Sequence, residues 1–384
     1  MFRENKHIVG AAAALALCLT AGPAAAVITD APSPAKLSKI KVETFADGLE
    51  NPWGLQFLPD GRLLVTERPG RLRLVSKDGK LSDPVGGVPE VAAVGQGGLL
   101  DVLLAPDFEK TGTIYLSYGE PREGGKNGTS VARAKLVTDG DGGRLEDVKV
   151  VFRQQPAARS GHHFGSRLVW AKDGTLFITT GERNSLRQEA QNPANDIGKV
   201  IRINPDGTVP ADNPKLPGWA PEVWSIGHRN IQGAALRPET GQLYTVEHGA
   251  RGGDELNRPE KGKNYGWPII TYGIDYSGAK IGEGITAKEG MEQAVYYWVP
   301  SIATSGLAFY TGDLFPNWKG NAFVGGLAGA HIERLVFDGD DVVAAEELLG
   351  EEGKRIRDIR QGPDGALWVL TDDTGEVLRI TPAE

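Results

Sequence analysis

Past Cys18 the 384-residue chain contains no cysteine. Disulfide frameworks, thiolate metal sites and cysteine nucleophiles are therefore excluded from everything downstream. There is no basic run, and the formal net charge is −8. That balance argues against nucleic acid or an anionic membrane surface as a partner. Beyond the N-terminal segment no apolar stretch reaches the length of a membrane helix. Also missing are a Gly-x-Ser-x-Gly elbow, a phosphate loop and a dinucleotide fingerprint after a strand. A bound redox cofactor would have to be of another kind.

What is present begins with an N-terminal signature. Arg3 and Lys6 precede an apolar run from Ile8 to Gly22, and Ala24-Ala25-Ala26 forms a small-residue cleavage site. Residues 1–26 read as a secretory signal peptide, too short for a membrane span. Residues 27–384 are then a single domain acting in the periplasm or outside the cell. With 52 Gly and 24 Pro in the full chain, turn-rich β structure is favoured over long helices.

A repeat runs through that domain: a Gly-containing turn, an apolar strand, a loop and a second strand. Pro59-Asp-Gly-Arg-Leu-Leu-Val-Thr-Glu is the first copy and Pro363-Asp-Gly-Ala-Leu-Trp-Val-Leu-Thr the last. The turn glycines are Gly61, Gly112, Gly174, Gly241, Gly320 and Gly365, spaced by 51, 62, 67, 79 and 45 residues. Each unit has room for four short strands, which predicts an all-β, six-bladed β-propeller with four-stranded antiparallel blades. Ile40 to Phe45 is placed to close the ring by pairing with the last sheet. The alternative is a pair of β-sandwich domains. The long fourth interval holds a polar, Gly-rich insertion, and long loops on a rigid scaffold are where function usually sits.

Several constellations carry possible chemistry. His162 and His163 occupy a Gly-flanked turn before strands that reverse at Asp173-Gly174, and imidazole is suited to accept a proton near neutral pH. Arg229 and Asn230 lie in a loop before a strand, where a guanidinium fork can meet a carboxylate or quinone oxygen. Arg355 and Arg357 alternate on one strand face, so they require an anion or water, with Asp358 as the nearby acid. Gln96 sits in a Gly-rich loop. Glu247, Asp254 and Glu255 surround the Gly249-Ala-Arg-Gly-Gly bend, and hard oxygens with flexible carbonyls suit calcium. Each set also has a bland reading, as turn residues or a solvated edge.

Seven segments in order resemble the soluble, pyrroloquinoline quinone (PQQ)-dependent sugar dehydrogenases, the glucose/sorbosone dehydrogenase family. They are Asn51-Pro-Trp-Gly, Gly95-Gln-Gly-Gly-Leu, His163-Phe-Gly-Ser-Arg-Leu, Gly227-His-Arg-Asn-Ile-Gln-Gly, Asp254-Glu-Leu-Asn, Asn264-Tyr-Gly-Trp-Pro and Arg355-Ile-Arg-Asp. The resemblance spans Leu49 to Ile380 and lies with the aldose sugar dehydrogenase branch.

The resemblance implies a six-bladed propeller that oxidises aldoses at C1 to lactones and passes electrons to an external acceptor. His163 matches the general base, while Gln96 and Arg229 match the sugar and quinone site. Asn230, Arg355 and Arg357 match quinone contacts. The carbonyls of Gly249 and Ala250 match ligands of a calcium on the quinone, and Glu255 and Tyr265 match ligands of a second calcium. One departure stands out: Gly326-Leu-Ala-Gly replaces a segment in which relatives carry a quinone-contacting lysine, so Ala328 stands at the lysine position. Arg251 is the candidate substitute, and the role of His162 is open. The rival readings are a calcium-dependent lactonase, which needs carboxylates converging on the propeller axis, and a non-catalytic sugar-binding propeller.

Overall fold

The computed structural model describes residues 30–383. The segment read as a signal peptide lies outside them. β1 (Ile40–Ala46) comes first in the chain but belongs to the last sheet, so the first blade begins with β2. Blade one is β2 (Pro52–Phe57), β3 (Leu63–Glu67) and β4 (Arg71–Val75). Blade two is β5 (Leu99–Leu104), β6 (Thr113–Arg122), β7 (Lys126–Asp139) and β8 (Gly142–Arg153). Blade three is β9 (Gly165–Trp170), β10 (Leu176–Thr180), β11 (Lys199–Ile203) and β12 (Val223–Ile226). Blade four is β13 (Ile231–Leu236), β14 (Leu243–Glu247), β15 (Asp254–Asn257) and β16 (Tyr296–Trp298). Blade five is β17 (Thr304–Phe309), β18 (Ala322–Gly326), β19 (Ile332–Asp338) and β20 (Asp341–Leu348). Blade six is β21 (Ile356–Gln361), β22 (Leu367–Thr371) and β23 (Val377–Pro382), completed by β1.

The expected propeller is therefore present, with five blades of four antiparallel strands and a first blade of three. At the fourth position of blade one the chain makes a bridge between Val75 and Leu81 and separate bonds from Ser82 N to Leu74 O and Val85 N to Leu72 O, without a continuous strand. Pro84, which has no N–H, interrupts any ladder there. Ring closure is as expected: Ile40 pairs with Pro382 and Thr44 with Leu378. The six repeat glycines all follow the innermost strand of a blade, with φ between +66° and +86°. That left-handed region is cheap only for glycine, which is why the repeat was visible through them.

Each blade junction has its own buried apolar cluster. Leu64, Leu72, Leu99 and Leu116 join blades one and two, for example, and Tyr310, Phe323, Ile359 and Val369 join five and six. A fully buried leucine of this kind contributes roughly 1.5–3 kcal/mol.

The third residues of the six inner strands converge on the axis. They are Gly54, Asp101, Arg167, Gly233, Gly306 and Asp358. Arg167 Nη1 lies 3.1 Å from both Asp101 Oδ1 and Asp358 Oδ1, and Arg360 reaches both aspartates at 3.1–3.3 Å. Glycines at the other positions leave room for this charged plug; a Cβ on Gly54 would sit 2.9 Å from Asp101 Oδ1. Inner strands of a propeller run the same way, so residues at their N-terminal ends gather on one face. Gln96, His163, Arg229, Asn230 and Arg355 all precede inner strands.

Candidate active site

The His163 turn is held in a costly conformation. Its φ is +52°, in the left-handed region that a non-glycine residue rarely adopts. Three contacts hold it there. The His163 N–H donates to Gln96 Oε1 at 2.8 Å, and Arg183 Nη1 donates to the His163 carbonyl at 3.2 Å. Gly181 packs so closely that a Cβ would lie 2.1 Å from that carbonyl. Gln96 and His163 therefore meet.

The His163 side chain is buried, and its Nδ1 lies 2.8 Å from Glu182 Oε1. Burial, together with the charges of Arg229, His162 and Arg183, pushes the His163 imidazole down to about 2. Burial pushes the Glu182 carboxyl up to about 7, against the pull of Arg229 and Arg187. The two groups titrate as a pair, and both shifts disfavour an added charge. With one proton on the pair, Nδ1–H donates to a Glu182 carboxylate and Nε2 keeps its lone pair. That is the form of a general base.

Arg229 joins this pair through the backbone, since Glu182 N donates to Arg229 O at 2.9 Å. Its own N–H donates to Glu247 Oε2 at 2.6 Å, and its guanidinium lies 5.2 Å from the Trp267 ring centre. Asn230 accepts at Oδ1 from Gly165 N and from Gln232 Nε2 (3.1 and 3.2 Å). Gln232 in turn accepts from Arg357 Nη1 at 3.0 Å. Gln96, His163, Arg229, Asn230 and Arg357 thus belong to one connected network.

Arg355 and Arg357 do share a face, but their acid is not Asp358. Strand alternation turns Asp358 toward the axial plug, and Asp372 is the partner: 3.2 Å from Arg357 Nη2 and 3.7 Å from Arg355 Nε. Burial of Asp372 is outweighed by Arg357, Arg68 and Arg355, which hold its carboxyl below the usual range. Arg355 Nη1 also donates to Leu327 O at 2.9 Å, so the segment lacking the lysine supports Arg355 through a carbonyl. Arg251 is exposed, and its main chain bridges Ile274.

The donor set is in cationic excess, and buried Asn230 Nδ2, Arg229 Nε and Arg68 Nε have no protein partner. A flat polyanion such as PQQ fits such a set. Among the described residues no three His, Asp or Glu side chains cluster as a metal site, so a cation near the metal candidates would need main-chain oxygens. At Gly249 a Cβ would lie 2.3 Å from Gly252 O and 2.4 Å from Gly253 O, a crowded bend rich in carbonyls. Ala250 is buried beside it. Asn257 Nδ2 bridges Glu247 and Glu255, 2.9 Å to each, and burial with the Glu247 charge pushes the Glu255 carboxyl up to about 8. A hard cation would relieve that pair. Tyr265 stacks at 4.9 Å on His228, which bonds Glu247, so Tyr265 reaches the same cluster. The Tyr265 hydroxyl donates to Arg258 O and accepts from Glu260 N.

Glu182, Arg183, Gln232 and Asp372 were not singled out from sequence. Glu182 and Arg183 end the stretch after β10, level with the histidine turn, and that placement was the available signal. Arg183 is fully buried and stacks 3.6 Å from the Phe164 ring centre, while Nη2 donates to Ser160 O at 2.8 Å and to Asn127 Oδ1. It spans the whole histidine turn. An Arg183→Lys variant keeps the charge and loses the fork. It should lower kcat by roughly 10- to 100-fold with KM little changed. An unchanged kcat would show that the turn holds itself.

Fold and site together define a six-bladed propeller with a buried His–Glu pair and an arginine cluster at one end of its inner strands. The chain belongs to the glucose/sorbosone dehydrogenase family, whose family model matches residues 49–379. It is 47% identical over 350 residues to the aldose sugar dehydrogenase YliI of Escherichia coli K12, covering 89% of this chain and 93% of that protein. It is similar to a crystal structure of glucose dehydrogenase (51% identity, TM-score 0.86, 90% of this chain and 100% of that one). It also matches the PQQ-bound aldose sugar dehydrogenase of Streptomyces coelicolor (30% identity, TM-score 0.76, 91% of this chain and 99% of that one).

Proposed function

We propose that the protein oxidises aldose sugars at C1 to lactones with PQQ and calcium, His163 acting as general base. The observation that carries this reading is the buried His163–Glu182 pair, joined through Arg229 to a set of arginines with unpartnered donors. Arg355, Arg357 and Asn230 would hold the quinone, with Arg229 toward its reacting edge. The carbonyls of Gly249 and Ala250 would ligate its calcium, and Glu255 and Tyr265 a second one. When bound, PQQ supplies a two-electron acceptor for the hydride leaving C1. His163 Nε2 takes the C1 hydroxyl proton, Glu182 stabilises the imidazolium, and Arg229 offsets developing negative charge. An external acceptor would then remove the electrons.

The lactonase reading required free carboxylates on the axis. Asp101 and Asp358 do converge there, but Arg167, Arg360 and the N–H groups of Leu55 and Leu168 engage them. Those ion pairs favour a structural role for the two aspartates.

The test is apo-protein titrated with PQQ and calcium, read by calorimetry and by dye reduction with a panel of aldoses. Turnover that needs both additions is expected; absence of quinone binding overturns the reading. Arg357→Ala should weaken quinone binding by roughly 10- to 100-fold through one lost charged contact. Unaltered affinity would remove Arg357 from the site. We also propose that the mature chain works in the periplasm or outside the cell. A mature N-terminus near residue 27 on protein recovered from there would support this, and retention in the cytoplasm would refute it.

A further inference from the structure

Lys199 opens β11 with its side chain fully buried, and among the described residues no carboxylate lies within 4.0 Å of its ammonium. Its charge is met by dipoles. Nζ donates to Glu189 O at 2.9 Å, to Ala190 O at 3.1 Å and to Ile197 O, with Asn195 Oδ1 at 3.5 Å. Three N–H groups meet three main-chain carbonyls, much as a bound cation is met by an oxygen cage. Those carbonyls come from both ends of one loop, the 3-10 turn Arg187–Gln191 and the return at Ile197.

The loop also bonds the chain that leads into the site, partly through one of the same carbonyls. Ala190 O also accepts from Gly227 N at 2.9 Å, and Gly198 O accepts from His228 N at 3.2 Å. These two bonds fix the chain immediately before Arg229 and Asn230. Ala190 packs in a buried cluster with Ala250, Trp267 and Ile281, and Gln191 Nε2 donates to Trp267 O at 2.8 Å. Trp267 is the ring beneath Arg229. Gly198 has no slack, since a Cβ there would lie 2.3 Å from His228 O.

We propose that Lys199 is a positioning residue: a tethered cation whose carbonyl cage sets the 187–198 loop and, through Ala190 and Gly198, the segment carrying Arg229. Its kinetic consequence rests on the dehydrogenase reading above, whereas its structural consequence does not. Removing the ammonium leaves three carbonyls facing one another, and the loop must shift. A displacement of about 1 Å at Arg229 costs on the order of 100-fold in kcat.

The experiment compares Lys199→Ala with wild type by hydrogen exchange at the Gly227 and His228 amides, in apo-protein, with and without added ammonium chloride. Faster exchange that ammonium reverses, and tetramethylammonium does not, is the expected result. In the PQQ- and calcium-loaded enzyme, kcat should fall about 100-fold with sugar KM nearly unchanged, and ammonium should restore part of it. Lys199→Met, which fills the space without donors and so admits no ammonium, supplies the exchange and kcat readings without rescue if the alanine variant does not fold. Wild-type exchange at Gly227 and His228 in either variant overturns the proposal, as does a loss of kcat in Lys199→Ala that ammonium leaves untouched. Reversible exchange in a protein that oxidises no sugar would retain the loop assignment and reject the dehydrogenase reading.

Discussion

His163→Ala is expected to lower kcat by on the order of 10^4-fold, the upper part of what a positioned general base supplies. The size follows from the surroundings. His163 Nδ1 bonds the buried Glu182 carboxylate at 2.8 Å; burial keeps the ring neutral, and that carboxylate is the group placed to stabilise the imidazolium once a proton is taken. Quinone affinity should change little, because the quinone contacts proposed here lie on Arg229, Asn230, Arg355 and Arg357. Alanine also inherits the +52° backbone that Gln96 and Arg183 impose, so the turn itself should persist. Stopped-flow reduction of the loaded enzyme by sugar separates these effects. A rate within tenfold of wild type would show that another group takes the proton.

Glu182→Gln is the second large effect, roughly 10^3- to 10^4-fold in kcat. A carboxylate can only accept from Nδ1–H and so leaves Nε2 unprotonated. An amide can donate to Nδ1 instead, which places the hydrogen on Nε2 and removes the base. The sign of the pH dependence follows from the same pair. Two protons on the pair give imidazolium with carboxylate, or a carboxylic acid that donates to Nδ1 and leaves the ring hydrogen on Nε2, and neither of these has a free Nε2. Activity therefore rises with pH as one proton leaves, through a limb near neutrality, where Glu182 sits at about 7. The glutamine variant should lack that limb. It should also melt higher than wild type: a carboxyl whose folded pKa is raised loses stability as pH rises above its unfolded value, and the amide escapes that loss. A variant with an unchanged pH profile would remove Glu182 from the proton inventory.

Some of this molecule was legible along the chain because local physics leaves a local mark. Six glycines at positive φ between first and second strands marked the blades, and an alternating segment at Ile40 marked the closing strand. His163, Arg229 and Arg357 stood out as polar residues in Gly-rich loops or on alternating faces. Blade one was less visible, since a single proline decided that its fourth position would be a bridge.

Pairings between blades left no such mark. Asp358 lies one residue from Arg357, yet strand alternation sends it to the axis, and Asp372, from the next strand's end, takes its place. Glu182 meets His163 across 19 residues and Arg229 across blades; Lys199 reaches carbonyls of a loop that touches Gly227. The sequence by itself determined the repeat, the ring and the identities of the polar residues at one end of the inner strands. Only the tertiary structure decided which acid neutralises which base. Periodicity is a property of neighbours along the chain, whereas burial and partner choice depend on how separate blades meet around an axis.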